Sequence, residues 1–270
     1  MMENRLQYMT WQEAGEAFKK TKIAIIPTGS TEQHGPHLPL GTDYLIAEYL
    51  AKRVAENIDV VVTPVIPIGY AHYHQGFTGT LSVNPEILTS YYQGIVDSLI
   101  SYGITHFMFI NGHGGNYTVL QNICRNLRIR GIAGAILQWF FIAGQLKKEW
   151  GEIFHGDIIE TSLAMLISPE SVKLDKAVIP VNKKVTEELQ PLNGTTCRFK
   201  GATVNFYFMW SDISDSGNVI VYDRFPEADF SVSTKNASVQ KGKEVADALV
   251  EYFVDFAKEF KKIKFEPTKI

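Results

Sequence analysis

Four short, continuously apolar runs dominate the first half of the chain: residues 22–27 (KIAIIP), 59–69 (DVVVTPVIPIG), 106–110 (HFMFI) and 132–141. None alternates apolar with polar residues, so each reads as a strand buried on both faces. Strands of that kind belong to a parallel sheet covered by helices. The intervening stretches have helical spacing. Residues 41–57 place Leu45, Leu50 and Val54 among polar neighbours, residues 85–102 carry proline in the first turn, and Asn116 reads as the N-cap of a helix reaching about Arg130.

The second half is less regular. Residues 157–167 predict a helix stopped by Ser168-Pro169, residues 178–234 mix short β-like runs with turn residues, and residues 234–262 predict a long closing helix. Its terminal KEFKKIK reads as a solvated end that complements the helix dipole. No Gly/Ser/Pro-rich linker divides the chain, so residues 1–270 read as one domain. A chain of 270 residues buries roughly three quarters of its unfolded surface and needs no staple to fold. Cys124 and Cys197 lie in no ligand or redox spacing and read as free thiols of a reducing compartment. No apolar run reaches the ~18 residues of a membrane span, and the N-terminus lacks a signal-type apolar core. The expectation is therefore a cytoplasmic protein without a membrane partner. With 26 basic against 29 acidic residues there is no electrostatic footprint for nucleic acid.

Ligand-type side chains gather just beyond two strand ends, where open parallel sheets bind ligands. Residues 29–43 (GSTEQHGPHLPLGTD) follow the first strand, and residues 111–116 (NGHGGN) follow the third. Glu32 and His34 are two apart and point to one side of extended backbone. Asp43 at the next helix start and His113 from the neighbouring loop can join them. Two carboxylates and two imidazoles suit zinc, manganese or iron(II), with one ion or a pair sharing a carboxylate. Each residue also has a plainer reading. Glu32 can be a surface acid, Asp43 a first-turn acid favoured by the helix dipole, and His113 a turn histidine.

The segment at residues 28–43 (TGSTEQHGPHLPLGTD) resembles the signature of the creatininase family of creatinine amidohydrolases. NGHGGN is similar to the family's second metal segment, and residues 155–165 (HGDIIETSLAM) to its third motif. Residues 76–82 (GFTGTLS) resemble its substrate-side loop, and residues 237–242 (ASVQKG) the start of its closing helix. The resemblance covers residues 20–255. It implies a three-layer α/β/α sandwich with a mostly parallel central sheet, and a two-metal hydrolase assembled as a homohexamer. It further implies that Glu32, Asp43 and His113 hold one ion and that His34 and Asp43 hold another. The family's acid two residues after the second-motif histidine is Gly115 here. The second ion is then weak, absent or completed by Glu160. His155 becomes a proton donor and Glu160 a ligand or orienter, although Asp157 with Glu160 also reads as a helix capping box. His74, Thr80 and Gly114 stand on the substrate side, and His37 supports the ligands by hydrogen bonds. His72 and His106 read as structural, and Trp139, Trp150 and Trp210 as core or interface residues.

The function these motifs imply is hydrolysis of an amide-type C–N bond in a small cyclic or formylated substrate. The alternatives are a C–C hydrolase opening an oxidised inositol ring and a metal-binding relative without activity. Because Gly114 and Gly115 leave the second-motif loop bare, efficient hydrolysis of creatinine itself is not expected.

Overall fold

The computed structural model describes residues 3–151, 153–178, 183–217 and 234–268. Its centre is a sheet of four parallel strands, β1 (Ile23–Thr28), β2 (Val61–Val62), β3 (His106–Asn111) and β4 (Ala133–Gln138), in the order β2-β1-β3-β4. Every residue of β1 and β3 is buried, as expected of strands covered on both faces. Side-chain alternation divides them between two cores. Ile23, Ile25, Met108 and Ile110 face α2 (Thr42–Ala55), α5 (Trp139–Leu146), α6 (Ile158–Ile167) and the closing helix α8 (Val239–Phe260). Ala24, Ile26, Phe107 and Phe109 face α3 (Pro85–Ser101) and α4 (Tyr117–Ile129). This is the three-layer α/β/α arrangement.

Several boundaries differ from the sequence reading. The apolar run at residues 59–69 pairs as a strand only at Val61–Val62, because Pro64 and Pro67 have no N–H to give a ladder. The run at residues 132–141 is strand only to Gln138, and Trp139 opens α5. A continuous apolar run does not by itself distinguish buried strand from buried helix. Asn116 makes no capping bond. Its amide instead ties Gly29 O at 2.9 Å and Tyr70 N at 3.1 Å, joining two loops. A helix α1 (Trp11–Lys20) stands where no element was expected, opened by a reciprocal Thr10–Glu13 capping box.

Part of the irregular second half forms an antiparallel ribbon of β5 (Gln190–Asn193), β6 (Thr196–Phe199) and β7 (Ala202–Asn205), followed by the single turn α7 (Trp210–Ile213). The remaining β-like runs, at residues 218–233, lie outside the described residues. The closing helix docks through its cap. Ser238 Oγ accepts Lys241 N–H at 3.2 Å, and Ser238 N–H donates to Ser162 Oγ on α6 at 3.1 Å. At its far end Lys258 and Lys262 pair with Asp255 and Glu259, so the terminal charge run is solvated. No helix is long and apolar enough to cross a membrane among the described residues.

Register places the chemistry. Thr28, Asn111 and Gln138 lie side by side at the carboxyl edge of the sheet. The loops leaving β1 and β3 therefore start at one level, beside the N-terminus of α2.

Candidate functional site

Asp43 sits in the first turn of α2, where the helix dipole favours a carboxylate. Gly112 lets the loop after β3 press against that turn. A Cβ there would lie 2.3 Å from Asp43 O. Asn111 then clamps the loop, donating to His113 O at 2.7 Å and accepting from His113 N–H at 3.2 Å. His113 is thereby turned toward the β1 loop. Its Nδ1 lies 3.0 Å from Glu32 Oε2 and 3.1 Å from Asp43 Oδ2. His34 Nε2 lies 2.8 Å from Asp43 Oδ1 and 3.9 Å from Glu160 Oε2. The side chains of Glu32, His34, Asp43, His113 and Glu160 are all buried.

The tautomers show what this cluster is built for. His113 Nε2–H donates to Tyr70 O at 2.9 Å, and His34 Nδ1–H donates to Glu32 O at 3.1 Å. The other nitrogen of each ring, with its lone pair, therefore faces carboxylate oxygens. Glu32 Oε2 and Asp43 Oδ2 make no directed hydrogen bond, although both are fully buried. Leaving such groups unmatched costs several kcal/mol per ion. A proton on each ring, or a metal cation between ring and carboxylates, would match these oxygens. Three overlapping sets could hold a divalent ion, Glu32–Asp43–His113, His34–Asp43–Glu160 and Glu32–His34–His155, with the ligand atoms of each within 4.8 Å of one another. The first two share Asp43, and the His113 and His34 rings are each oriented by a backbone carbonyl in the manner of metal-ligating histidines.

Glu160 brings a further buried carboxylate to within 3.9 Å of His34 Nε2. Asp157 caps α6, accepting from Ile159 N–H and Glu160 N–H at 2.8 and 3.0 Å. The reciprocal half of a capping box is missing. Glu160 Oε2 accepts Gly156 N–H at 2.6 Å and leans toward His34 instead.

Without metal, protons take the cation positions. Burial opposes charge on His34, but Asp43 beside it prevails and raises its pKa to about 10. Burial likewise opposes charge on His113, and Glu32 and Asp43 lift it well above 6.5. Burial raises Glu160 to about 8, offset in part by His34 and reinforced by Asp43. Loading two ions at pH 7 is therefore expected to release about three protons, one each from His34, His113 and Glu160. Calorimetric titration in buffers of different ionisation enthalpy reads that number, and release near zero would contradict the site. The metal-free protein is also expected to weaken as pH rises. The His34 contribution is complete below pH 6.5 and disappears by about 10, and the Glu160 carboxyl loses its favoured protonated form between 4.5 and about 8. Thermal unfolding in chelator at pH 6 and pH 9 should show the higher midpoint at pH 6.

His155 lies over this centre. Its ring is 4.1 Å from that of His34 and 4.5 Å from that of His74. His155 Nε2–H donates to Gln33 O at 2.5 Å, which leaves Nδ1 facing Glu32 Oε1 at 3.7 Å. Burial, then the charge on His34, keeps its pKa well below 6.5, so the ring is neutral at pH 7. Gln33 organises this side. Its amide donates to His74 Nδ1 and to Gly217 O, both at 2.8 Å, and its Oε1 accepts Gly35 N–H at 2.9 Å. Both amide protons are then used, and the 3.0 Å approach of His155 Nε2 to that nitrogen is not a hydrogen bond. His74, with Nδ1 accepting, turns Nε2–H toward Glu32 Oε1 at 3.3 Å.

The cleft above the cluster encloses about 400 Å³. His74, His113, Gly114 and His155 line it, as do Tyr73 and Trp210. Thr80 does not. Its hydroxyl accepts Gln33 N–H at 3.2 Å and so supports the loop from behind. His37 bonds Thr161 Oγ1 at 3.0 Å, beside Glu160 in sequence, while His106 is tied to Ile263 O. Trp139 and Trp150 are core, as expected, but Trp210 is a cleft wall with its ring 4.6 Å from that of His74. Gln33 and Tyr73 escaped the sequence reading, which took Trp210 only as a core or interface residue. The alternation that points Glu32 and His34 together sends Gln33 the opposite way, a usable signal. Tyr73 and Trp210 carry none.

A family model described as creatinine amidohydrolase matches residues 7–257. A 3-dehydro-scyllo-inosose hydrolase from Thermotoga maritima is 28% identical over 256 residues, covering 91% of this chain and 80% of its own. A mycofactocin precursor peptide peptidase from Mycolicibacterium smegmatis is 34% identical over 182 residues, 63% of this chain and 67% of its own. The creatinine amidohydrolase of Pseudomonas putida is 31% identical over 198 residues, 63% and 74% respectively. Among solved structures, a mutant creatininase of Zn–Zn type superposes with TM-score 0.71 at 26% identity, and a Mn creatininase with 0.72 at 26%. Both comparisons cover 96% of this chain and 99% of the other. With its motifs, its fold and nearly its whole length matched, the chain belongs to the creatininase family.

Proposed function

We propose that this creatininase-family hydrolase cleaves an amide-type C–N bond of a small molecule, using divalent metal held by Glu32, Asp43 and His113 on one side and by His34, Asp43 and Glu160 on the other. The observation that carries this reading is the shared Asp43 carboxylate between two histidines whose free nitrogens face buried, unmatched oxygens. The oxygen and nitrogen donor set suits Zn or Mn, with Fe(II) chemically compatible. A divalent ion held by these residues would supply Lewis-acid polarisation of a carbonyl and acidification of water.

The chain's own residues supply the rest. His155 is neutral, so it does not begin as an acid. Its free Nδ1 accepts a proton from the attacking water and delivers that proton to the departing nitrogen. Gln33 holds the ring by its backbone carbonyl and fixes His74, which in turn steadies Glu32. The aromatic cleft walls exclude bulk water from the carbonyl. A second reading, opening of an inosose ring by C–C cleavage, is favoured by the length of the Thermotoga match. It uses the same electrophilic centre.

One domain over residues 1–270, a cytoplasmic location and a homohexamer complete the proposal. Phe199, Phe206 and Tyr207 are exposed on and beside the ribbon, and subunit contact would cover them. The test measures metal per chain, mass by light scattering, and creatinine hydrolysis with Zn and Mn supplied separately. Two ions per chain and a hexamer are expected. A kcat/KM on creatinine of ~10⁴ M⁻¹s⁻¹ or more would refute the expectation that creatinine is a poor substrate.

A further inference from the structure

The proposed hydrolytic centre leaves the substrate's remote end to the cleft, and the cleft has a definite chemistry. Its walls are aromatic, with Tyr73, Phe140, Phe141, Phe154 and Trp210 around the opening. Phe140 and Phe141 stand 4.8 Å apart at the start of α5, and Trp210 lies against the His74 and His155 rings. Outside the metal-side cluster and Tyr73, the polar side-chain groups lining it among the described residues are Asn193 at the β5 end and the buried indole N–H of Trp210. No Lys or Arg lines it among the described residues.

A phosphate or carboxylate at the remote end would give up its hydration with no Lys or Arg among the described lining residues to replace it. A polyol ring would bring several hydroxyls to a wall that answers them, among the described residues, only with the Asn193 amide, the Trp210 indole N–H and the Tyr73 hydroxyl. A flat apolar group instead loses only unfavourable hydration and stacks on the rings.

Resting on the hydrolase reading above, we infer that the substrate is a neutral amide whose remote end is an aromatic or comparably flat apolar group, rather than a phosphorylated or polyhydroxylated compound. For a formamide the reaction balances as R–NH–CHO plus water giving formate and R–NH3⁺. The C–N bond breaks, water oxygen bonds to carbon, and a proton passes to nitrogen.

The test holds the scissile bond constant and changes only R. N-benzylformamide, N-formyl-2-aminoethyl phosphate and N-formylglucosamine are offered to the Zn-loaded full chain, with turnover and calorimetric binding read separately. The expected result is at least a tenfold advantage of the benzyl compound in both kcat/KM and Kd. Phe141→Ala, at a ring 59% exposed and dispensable to the core, should shrink that advantage with metal content unchanged. Turnover without benzyl preference would overturn this inference and leave the hydrolase reading standing. Tenfold tighter benzyl binding with no turnover of any compound would do the reverse. If no compound binds or turns over, both fall.

Discussion

Asp43→Asn is expected to strip both metal positions in one step. The Asp43 carboxylate reaches both histidines, with Oδ1 2.8 Å from His34 Nε2 and Oδ2 3.1 Å from His113 Nδ1. Asparagine keeps the shape and loses the charge and one ligand oxygen. Loss of an outer partner of a metal ligand typically costs 10–100-fold in affinity. Loss of a bridging ligand should exceed about 100-fold, leaving the purified variant essentially metal-free and inactive. The change also acts without metal. Asp43 is the main influence raising His34, so the variant's His34 should give up its proton at lower pH than the wild type. The helix dipole contributes about 0.3–1 kcal/mol at this position, too little to confuse the result. Elemental analysis decides it, and a variant retaining two ions per chain would remove Asp43 from the bridging role.

Gly115→Glu is expected to harm the site, although the family resemblance places an acidic ligand at this position. A Cβ on Gly115 would lie 2.1 Å from Tyr70 O and 2.5 Å from His113 Nε2. Those two atoms form the hydrogen bond that sets the His113 tautomer. Any side chain therefore pushes the ring off its carbonyl before a carboxylate can reach metal. Gly115→Ala alone should destabilise by about 1–3 kcal/mol, a drop of roughly 2–12 °C in midpoint for a chain this long. Metal affinity at the Glu32–Asp43–His113 set should fall about 10–100-fold with it. Gly115→Glu should be worse on both measures. Tighter metal binding in the glutamate variant would show that Glu160 does not hold the second position.

What the chain makes legible on its own follows from nearest-neighbour physics. The apolar runs at residues 22–27 and 106–110 were readable as strands because uninterrupted burial leaves no polar face. Glu32, His34 and His113 were readable because each stands within a few residues of a strand end, where backbone direction is already settled. Asp43 was readable from its place at a helix start. Local pattern loses its hold where two structures satisfy the same residues. The run at residues 132–141 changes from strand to helix at Trp139 without a change in hydropathy, and the prolines at 64 and 67 shorten a strand that its valines favour. The role of Glu160 is a closer case. Its spacing from Asp157 allows a capping box, and only the approach of His34 from a segment 126 residues earlier turns its carboxylate toward the cluster. Thr80 shows the converse, a loop residue beside the site whose hydroxyl turns to Gln33 N–H rather than the cleft. The aromatic wall is furthest from the sequence. Tyr73, Phe140, Phe154 and Trp210 sit in four separate segments, and no periodicity links them. They meet because the α/β layers close over the carboxyl edge of the sheet, and burial of the whole core, rather than the pattern around any one residue, drives that closure.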